Sequence, residues 1–156
     1  MPISGYQGIV SGWPTEKVYN TPGVNSTHWS EGSSQVIMVE YLELEEVLDE
    51  VRSIPSVYEV TVVSRSGMHI AGDAPKGVHL ETFVAMSAIL LGAAETATSE
   101  LKDKLQYVSI ELQRGKMVLT SAGARALLVL TAAKDADTKE LAARARDFAL
   151  RVEEKI

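Results

Sequence analysis

The sequence predicts an α+β fold: a five-stranded antiparallel sheet flanked by three helices, in the order helix, hairpin, long helix, three-strand meander, helix. Three patterns point to it. Residues 44–54 and about 137–154 repeat apolar side chains at helical spacing, with charge elsewhere on the cylinder. Five short β-branched, alternating or apolar runs are punctuated by glycine-containing turns. Residues 78–103 form a third helical pattern, apolar over more than half its circumference, which asks for cover on more than one side.

In the first helix, Leu44, Val47, Leu48, Val51 and Ile54 make the buried stripe, and Glu43, Glu45, Glu46, Asp49 and Glu50 read as a solvated face. Pro55 stops it, since proline donates no backbone hydrogen bond and biases Ile54 away from helical angles. Residues 58–64 are strand-like, 65–67 a turn and 68–71 a second strand, together a hairpin. After the turn at 72–77 comes the long helix, with Leu80, Phe83, Val84, Ser87, Leu90, Leu91 and Ala94 on one stripe. Met86, Ile89, Ala93 and Ala97 widen that stripe, and the small residues of the helix, Ala85, Ser87, Ala88, Gly92, Ala93, Ala94 and Ala97, would let a second helix approach. Residues 107–112 alternate, with Val108, Ile110 and Leu112 on one face and Tyr107, Ser109 and Glu111 on the other. Residues 116–120 follow across a turn at Gly115, and 126–131 are a near-continuous apolar run, as in a central strand covered on both faces. The last helix repeats Leu141, Ala145, Phe148 and Val152, with Asp135 or Asp137 as its cap.

A length of 156 residues suits one domain, and 46% hydrophobic with 23% charged residues suits a folded globular one. The periodic part spans residues 39–156. Residues 1–38 read as a flexible extension: the first 34 hold five of the eleven glycines, three of the five prolines and both tryptophans, with no leucine. Trp13 and Trp29 are its candidate partner-docking anchors, because indoles favour interfaces.

Composition also excludes chemistry. With no cysteine there is no disulfide scaffold and no thiolate metal site or nucleophile, and a cytoplasmic location is expected. A formal charge of −6 argues against nucleic-acid binding, which draws on clustered Lys and Arg. The apolar run at 126–130 is far shorter than the roughly 20 residues of a spanning helix, and no cleavable leader is evident, so membrane insertion is not expected. Gly115-Lys116 lacks the remaining residues of a phosphate-binding loop. His28, His69 and His79 are too scattered to predict a metal site, and no serine sits in a nucleophile motif. The expectation is a protein without catalytic residues or cofactors.

The ordered elements resemble the roadblock domain, the dynein light chain roadblock-type family. The resemblance rests on Val62-Val63-Ser64-Arg65-Ser66-Gly67-Met68-His69-Ile70-Ala71-Gly72-Asp73 as the hairpin, and on the Ala-rich helix around Phe83-Val84-Ala85-Met86-Ser87-Ala88-Ile89-Leu90-Leu91-Gly92-Ala93-Ala94. The Gly115 hairpin followed by Ala126-Leu127-Leu128-Val129-Leu130 completes it. His79 departs from the acidic residue that many members carry at the start of the long helix.

The resemblance implies a non-enzymatic dimer in which long helix pairs with long helix and edge strands join into one ten-stranded sheet. It also implies a Ras-like small GTPase as the partner, bound for regulation or scaffolding. On this chain the expected dimer contacts are Met86, Ile89, Leu90, Ala93 and Ala97, with Tyr107, Val108, Ser109, Ile110 and Glu111 alongside. Two other readings stay open: a small-molecule sensor, which would need an internal cavity with convergent polar groups, and a scaffold with no GTPase partner.

Overall fold

The structure, a computed structural model, describes residues 31–156, with side chains from Gln35 onward. Helix α1 (Glu31–Arg52) leads into the hairpin β1 (Val57–Ser64) and β2 (His69–Gly72), and helix α2 (Leu80–Glu100) follows. The meander β3 (Val108–Glu111), β4 (Gly115–Ala122) and β5 (Ala126–Ala133) ends in helix α3 (Thr138–Lys155). The five strands form one antiparallel sheet in the order β2-β1-β5-β4-β3, so the predicted α+β class, strand count and element order all hold.

The last strand in sequence is central in space because β5 inserts between β1 and β4. Its alternation serves two layers. Leu128 and Leu130 join Val60, Val62, Leu48, Val51, Leu141 and Val152 under α1 and α3. Leu127 and Val129 join Val63 and Leu119 under α2. That double burial explains the near-continuous apolar run.

Helix ends follow local chemistry. Asp137, not Asp135, caps α3 by accepting the Glu140 N–H at 2.9 Å. Helix α2 starts after His79, whose side chain makes no capping bond. It ends three residues short of the predicted 103, because Lys102 turns into the left-handed region at φ 55° while the Leu101 and Lys102 N–H groups close on Thr98 and Ser99 carbonyls.

In the β1–β2 hairpin, geometry requires glycine at both Gly67 and Gly72. Gly67, at φ +86°, lets the hairpin turn rest on α2, where an added Cβ would stand 3.0 Å from Ala85 Cα. Gly72, at φ +83°, lies against β1, and a Cβ there would collide with the Val60 carbonyl oxygen.

Helix α1 is longer than the periodicity suggested. Residues 31–38, read above as part of the extension, are helical, so α1 crosses the 38/39 boundary. Residues 1–30, with Trp13 and Trp29, lie outside the described residues.

Candidate functional site

The two faces of the sheet are covered unequally. Helices α1 and α3 lie side by side on one face, and Leu44, Val47, Leu48, Leu141, Ala145 and Val152 are all buried there. Of the described elements, helix α2 alone covers the other face. Among the described residues, the buried members of that cluster are Val63, Val84, Leu91, Leu119, Leu127 and Val129. A single cylinder touches a flat surface along one stripe, so the rest of the apolar circumference of α2 faces outward.

That outward face holds the residues singled out in the sequence. Met86 is 55% exposed, Ile89 61% and Leu90 38%, and Ala93 and Ala97 are exposed beside them. Helix α2 contains no Lys or Arg, and its acidic residues Glu81, Glu95 and Glu100 lie outside the stretch from Met86 to Ala94. By length and composition α2 could cross a membrane, which the sequence reading had assigned to no segment. Here it is packed along one side, with Val84, Ser87 and Leu91 buried. Ser87 satisfies its hydroxyl within the helix by donating to the Phe83 carbonyl at 2.7 Å.

The edge strand β3 runs next to this face. It pairs with β4 through Val108↔Leu119, Ser109↔Val118, Ile110↔Met117 and Glu111↔Lys116. It has no strand on its other side among the described residues. Val108 and Ile110 pack half-buried on the α2 side, Tyr107 packs on the opposite cluster, and Ser109 and Glu111 are exposed. Leu112, predicted to continue the strand, lies past its end and is half exposed. An open groove of about 350 Å³ joins helix face to sheet, lined by Val78, Phe83, Met86, Leu90 and Met117 among others. An unpaired strand edge next to an uncovered apolar helix face is the geometry of an association surface.

A framework not visible in the sequence holds this surface in place. Arg65, assigned to a turn, donates to Glu95 on α2 at 2.8 Å, to Ser121 at 2.6 Å and to the Gly123 carbonyl at 3.0 Å. One guanidinium thus ties the β1–β2 turn, the β4–β5 turn and α2 together. Ala85, read as a residue that admits a second helix, is used within the chain by the close approach of Gly67.

On the opposite face the acidic run of α1 is largely paired. Arg151 makes a two-pronged contact with Glu50 at 2.6 and 2.7 Å, and Lys155 reaches Glu43 at 2.9 Å, pinning α3 to α1. The hydrogen bond from Arg151 holds the Glu50 carboxyl below its ordinary range against the opposing effect of desolvation, and the bond to Glu50 raises Arg151 in turn. Lys155 is raised, first by its hydrogen bond to Glu43. Arg52 meets Asp49 at 2.7 Å, Asp73 at 3.0 Å and Glu45 at 3.2 Å. Burial lowers its pKa, but the bonds to Asp49 and Glu45 and the negative charges of Asp73 and Glu45 together outweigh that and leave it raised. These contacts explain the charges as clamps between elements.

For ligand chemistry, no three His, Asp or Glu side chains among the described residues are grouped to hold a metal. No buried side-chain nitrogen or oxygen among them lacks a partner that a ligand would satisfy. Besides the groove on α2, a second open hollow of about 420 Å³ lies between the hairpin turn and the start of α2, near Met68, His69, Leu80 and Glu81.

Comparison with known proteins agrees with this geometry. A sequence profile of the Roadblock/LC7 domain matches residues 43–132. An uncharacterised protein of Methanocaldococcus jannaschii is 37% identical over 98 residues, covering 62% of this chain and 82% of that protein. A second from the same organism is 34% identical over 92 residues, covering 58% and 81%. Among solved structures, MglB in a tetrameric arrangement superposes with a TM-score of 0.66 at 23% identity, over 74% of this chain and 89% of that one. The gliding protein MglB from Thermus thermophilus gives 0.65 at 22%, over 74% and 90%. A Roadblock/LC7 domain from Streptomyces avermitilis gives 0.60 at 15%, over 72% and 93%. At these identities the structural likeness speaks to the fold.

Proposed function

The chain belongs to the Roadblock/LC7 domain family, and from that premise we propose that it is a non-catalytic, dimeric module of the cytoplasm that binds a Ras-like small GTPase and regulates or scaffolds it. One observation carries the reading: the uncharged apolar face of α2, with Met86, Ile89 and Leu90 turned to water beside the open edge of β3. A second copy related by a two-fold axis offers the same face and the same edge, so helix can pack on helix while β3 pairs with β3. Ala93 and Ala97 allow close approach, and the edge of β3, Val108–Glu111, with Tyr107 just before it, supplies backbone hydrogen bonds. The tetrameric arrangement described for MglB is in keeping with a fold that assembles with copies of itself.

The GTPase partner follows from the family rather than from a feature of this surface. A module without catalytic groups of its own can still regulate such a partner, by binding one of its conformations more tightly than another. Two measurements test the reading. Light scattering of the purified chain is expected to give twice the monomer mass. Capture from native cell extract, with GTP or with GDP added, is expected to recover a Ras-like GTPase with a preference between the two nucleotides. A dimer that recovers no such GTPase in either state would leave a scaffold of another kind, and a monomer would overturn the assembly.

A further inference from the structure

The N-terminal part of helix α1 stands clear of the body of the domain. Lys155, the last residue of α3, is paired with Glu43, so residues 31–42 extend past the end of α3. At 1.5 Å per residue this overhang is about 18 Å long. Its side chains are unexpected for a projecting helix. Val36, Ile37, Met38, Val39, Tyr41 and Leu42 are each half exposed or more. Four consecutive apolar residues at 100° intervals surround the cylinder, and Ile37 and Tyr41 continue the buried stripe of Leu44, Leu48 and Val51 beyond the core. A helix apolar on all sides belongs inside something.

Charge and chain length identify the occupant. The overhang, residues 31–42, carries two acidic side chains, Glu31 and Glu40, and no Lys or Arg, so laying it along that of a second copy brings like charges together with no cation to pair them. The segment that precedes it is different. Residues 1–29 contain one acid and one base, Glu16 and Lys17, together with Trp13, Trp29, Tyr6 and Tyr19. It joins the helix at Glu31, and its reach of up to about 95 Å far exceeds the roughly 10 Å of the apolar band. A tether this short holds the segment near the band at millimolar effective concentration.

We propose that residues 1–29 fold back along the overhang of α1 and cover residues 36–42 with their aromatic side chains. The segment is thereby a strap of the domain, and the band is its docking surface. The proposal does not depend on a GTPase partner.

Both tryptophans of the protein lie in the strap, so intrinsic fluorescence of the full chain reports on it alone. Native protein is expected to emit to the blue of urea-unfolded protein and to resist acrylamide quenching several-fold better, without change on dilution. The double variant Ile37→Glu/Leu42→Glu is expected to return the emission to the unfolded position while the far-ultraviolet circular dichroism of the domain persists. Because the chain has no cysteine, Met38→Cys can carry a single dansyl group, and energy transfer from tryptophan to that site is expected without a charge added to the band. Native emission equal to that of unfolded chain, or absence of transfer to position 38, overturns the proposal. A blue shift that fades on dilution overturns it in favour of a second copy, and one that survives Ile37→Glu/Leu42→Glu in folded protein places the strap elsewhere.

Discussion

Replacing Ile89 by Asp tests the α2 surface most directly, because the side chain is 61% exposed in the single chain and has little to lose there. Complete transfer of a Met, Ile or Leu side chain from water contributes about 2 kcal/mol. The exposed fractions of Met86, Ile89 and Leu90 therefore leave about 3 kcal/mol per protomer, about 6 kcal/mol for a symmetric pair. Association costs about 4–15 kcal/mol in lost freedom, so helix burial alone is marginal and β3 pairing must contribute the rest. Against that narrow margin, Ile89→Asp removes about 1 kcal/mol of burial on each side. It also places a carboxylate in a helix face with no Lys or Arg to pair it, at a cost of several kcal/mol per ion. A combined loss of at least about 4 kcal/mol weakens the dimer about a thousandfold. Sedimentation and light scattering over a dilution series are expected to show monomer, with unchanged circular dichroism. Leu150→Asp on α3, at the same 61% exposure, is the control and should leave the mass unchanged. A variant Ile89→Asp that stays dimeric at wild-type concentrations refutes the packing of α2 on α2.

Three further outcomes follow from the interior and the clamps. Leu128→Ala empties a fully buried position on the central strand and is expected to cost about 2–5 kcal/mol in urea unfolding, whereas half-exposed Leu112→Ala stays within about 0.5 kcal/mol. Gly72→Ala forces a side chain into positive φ and against the Val60 carbonyl, so a loss of about 2 kcal/mol or more is expected, and a neutral result would mean β2 can shift away from β1. Glu50→Gln probes the Arg151 clamp through pH. The folded-state pKa of Glu50 is below the unfolded one, so its stabilisation is present above the ordinary carboxylate range, near 4, and is lost as pH falls through the lowered value. Thermal melts of wild type and Glu50→Gln should therefore differ most at neutral pH and converge in acid, and a gap that ignores pH would discard the clamp.

How far the sequence reached can be judged residue by residue. Leu44, Val47, Leu48 and Val51 announced a helix face, and all four are buried. The apolar excess of α2 announced an incompletely covered helix, and Met86 and Ile89 are exposed as that pattern required. Arg65 was invisible because its partners Glu95, Ser121 and Gly123 are thirty to fifty-eight positions away. The acids of α1 looked like a solvated face because the cations facing them, Arg151 and Lys155, come from the far end of the chain. Residues 31–38 looked like extension because Glu31-Gly32-Ser33-Ser34-Gln35 hold no apolar side chain and Val36-Ile37-Met38 follow one another without a gap, so neither stretch produces a helical period to detect.

By itself the sequence determined the number, kind and order of the elements and the central, doubly buried character of residues 126–131, since these follow from spacing and backbone preference over a few neighbouring residues. Only the tertiary structure decided that β5 lies between β1 and β4, that α1 and α3 share one face while α2, alone among the described helices, lies on the other, and that Ala85 makes room for Gly67. Those outcomes depend on which distant surfaces meet. Periodicity records which side of an element avoids water, but not which other element covers it.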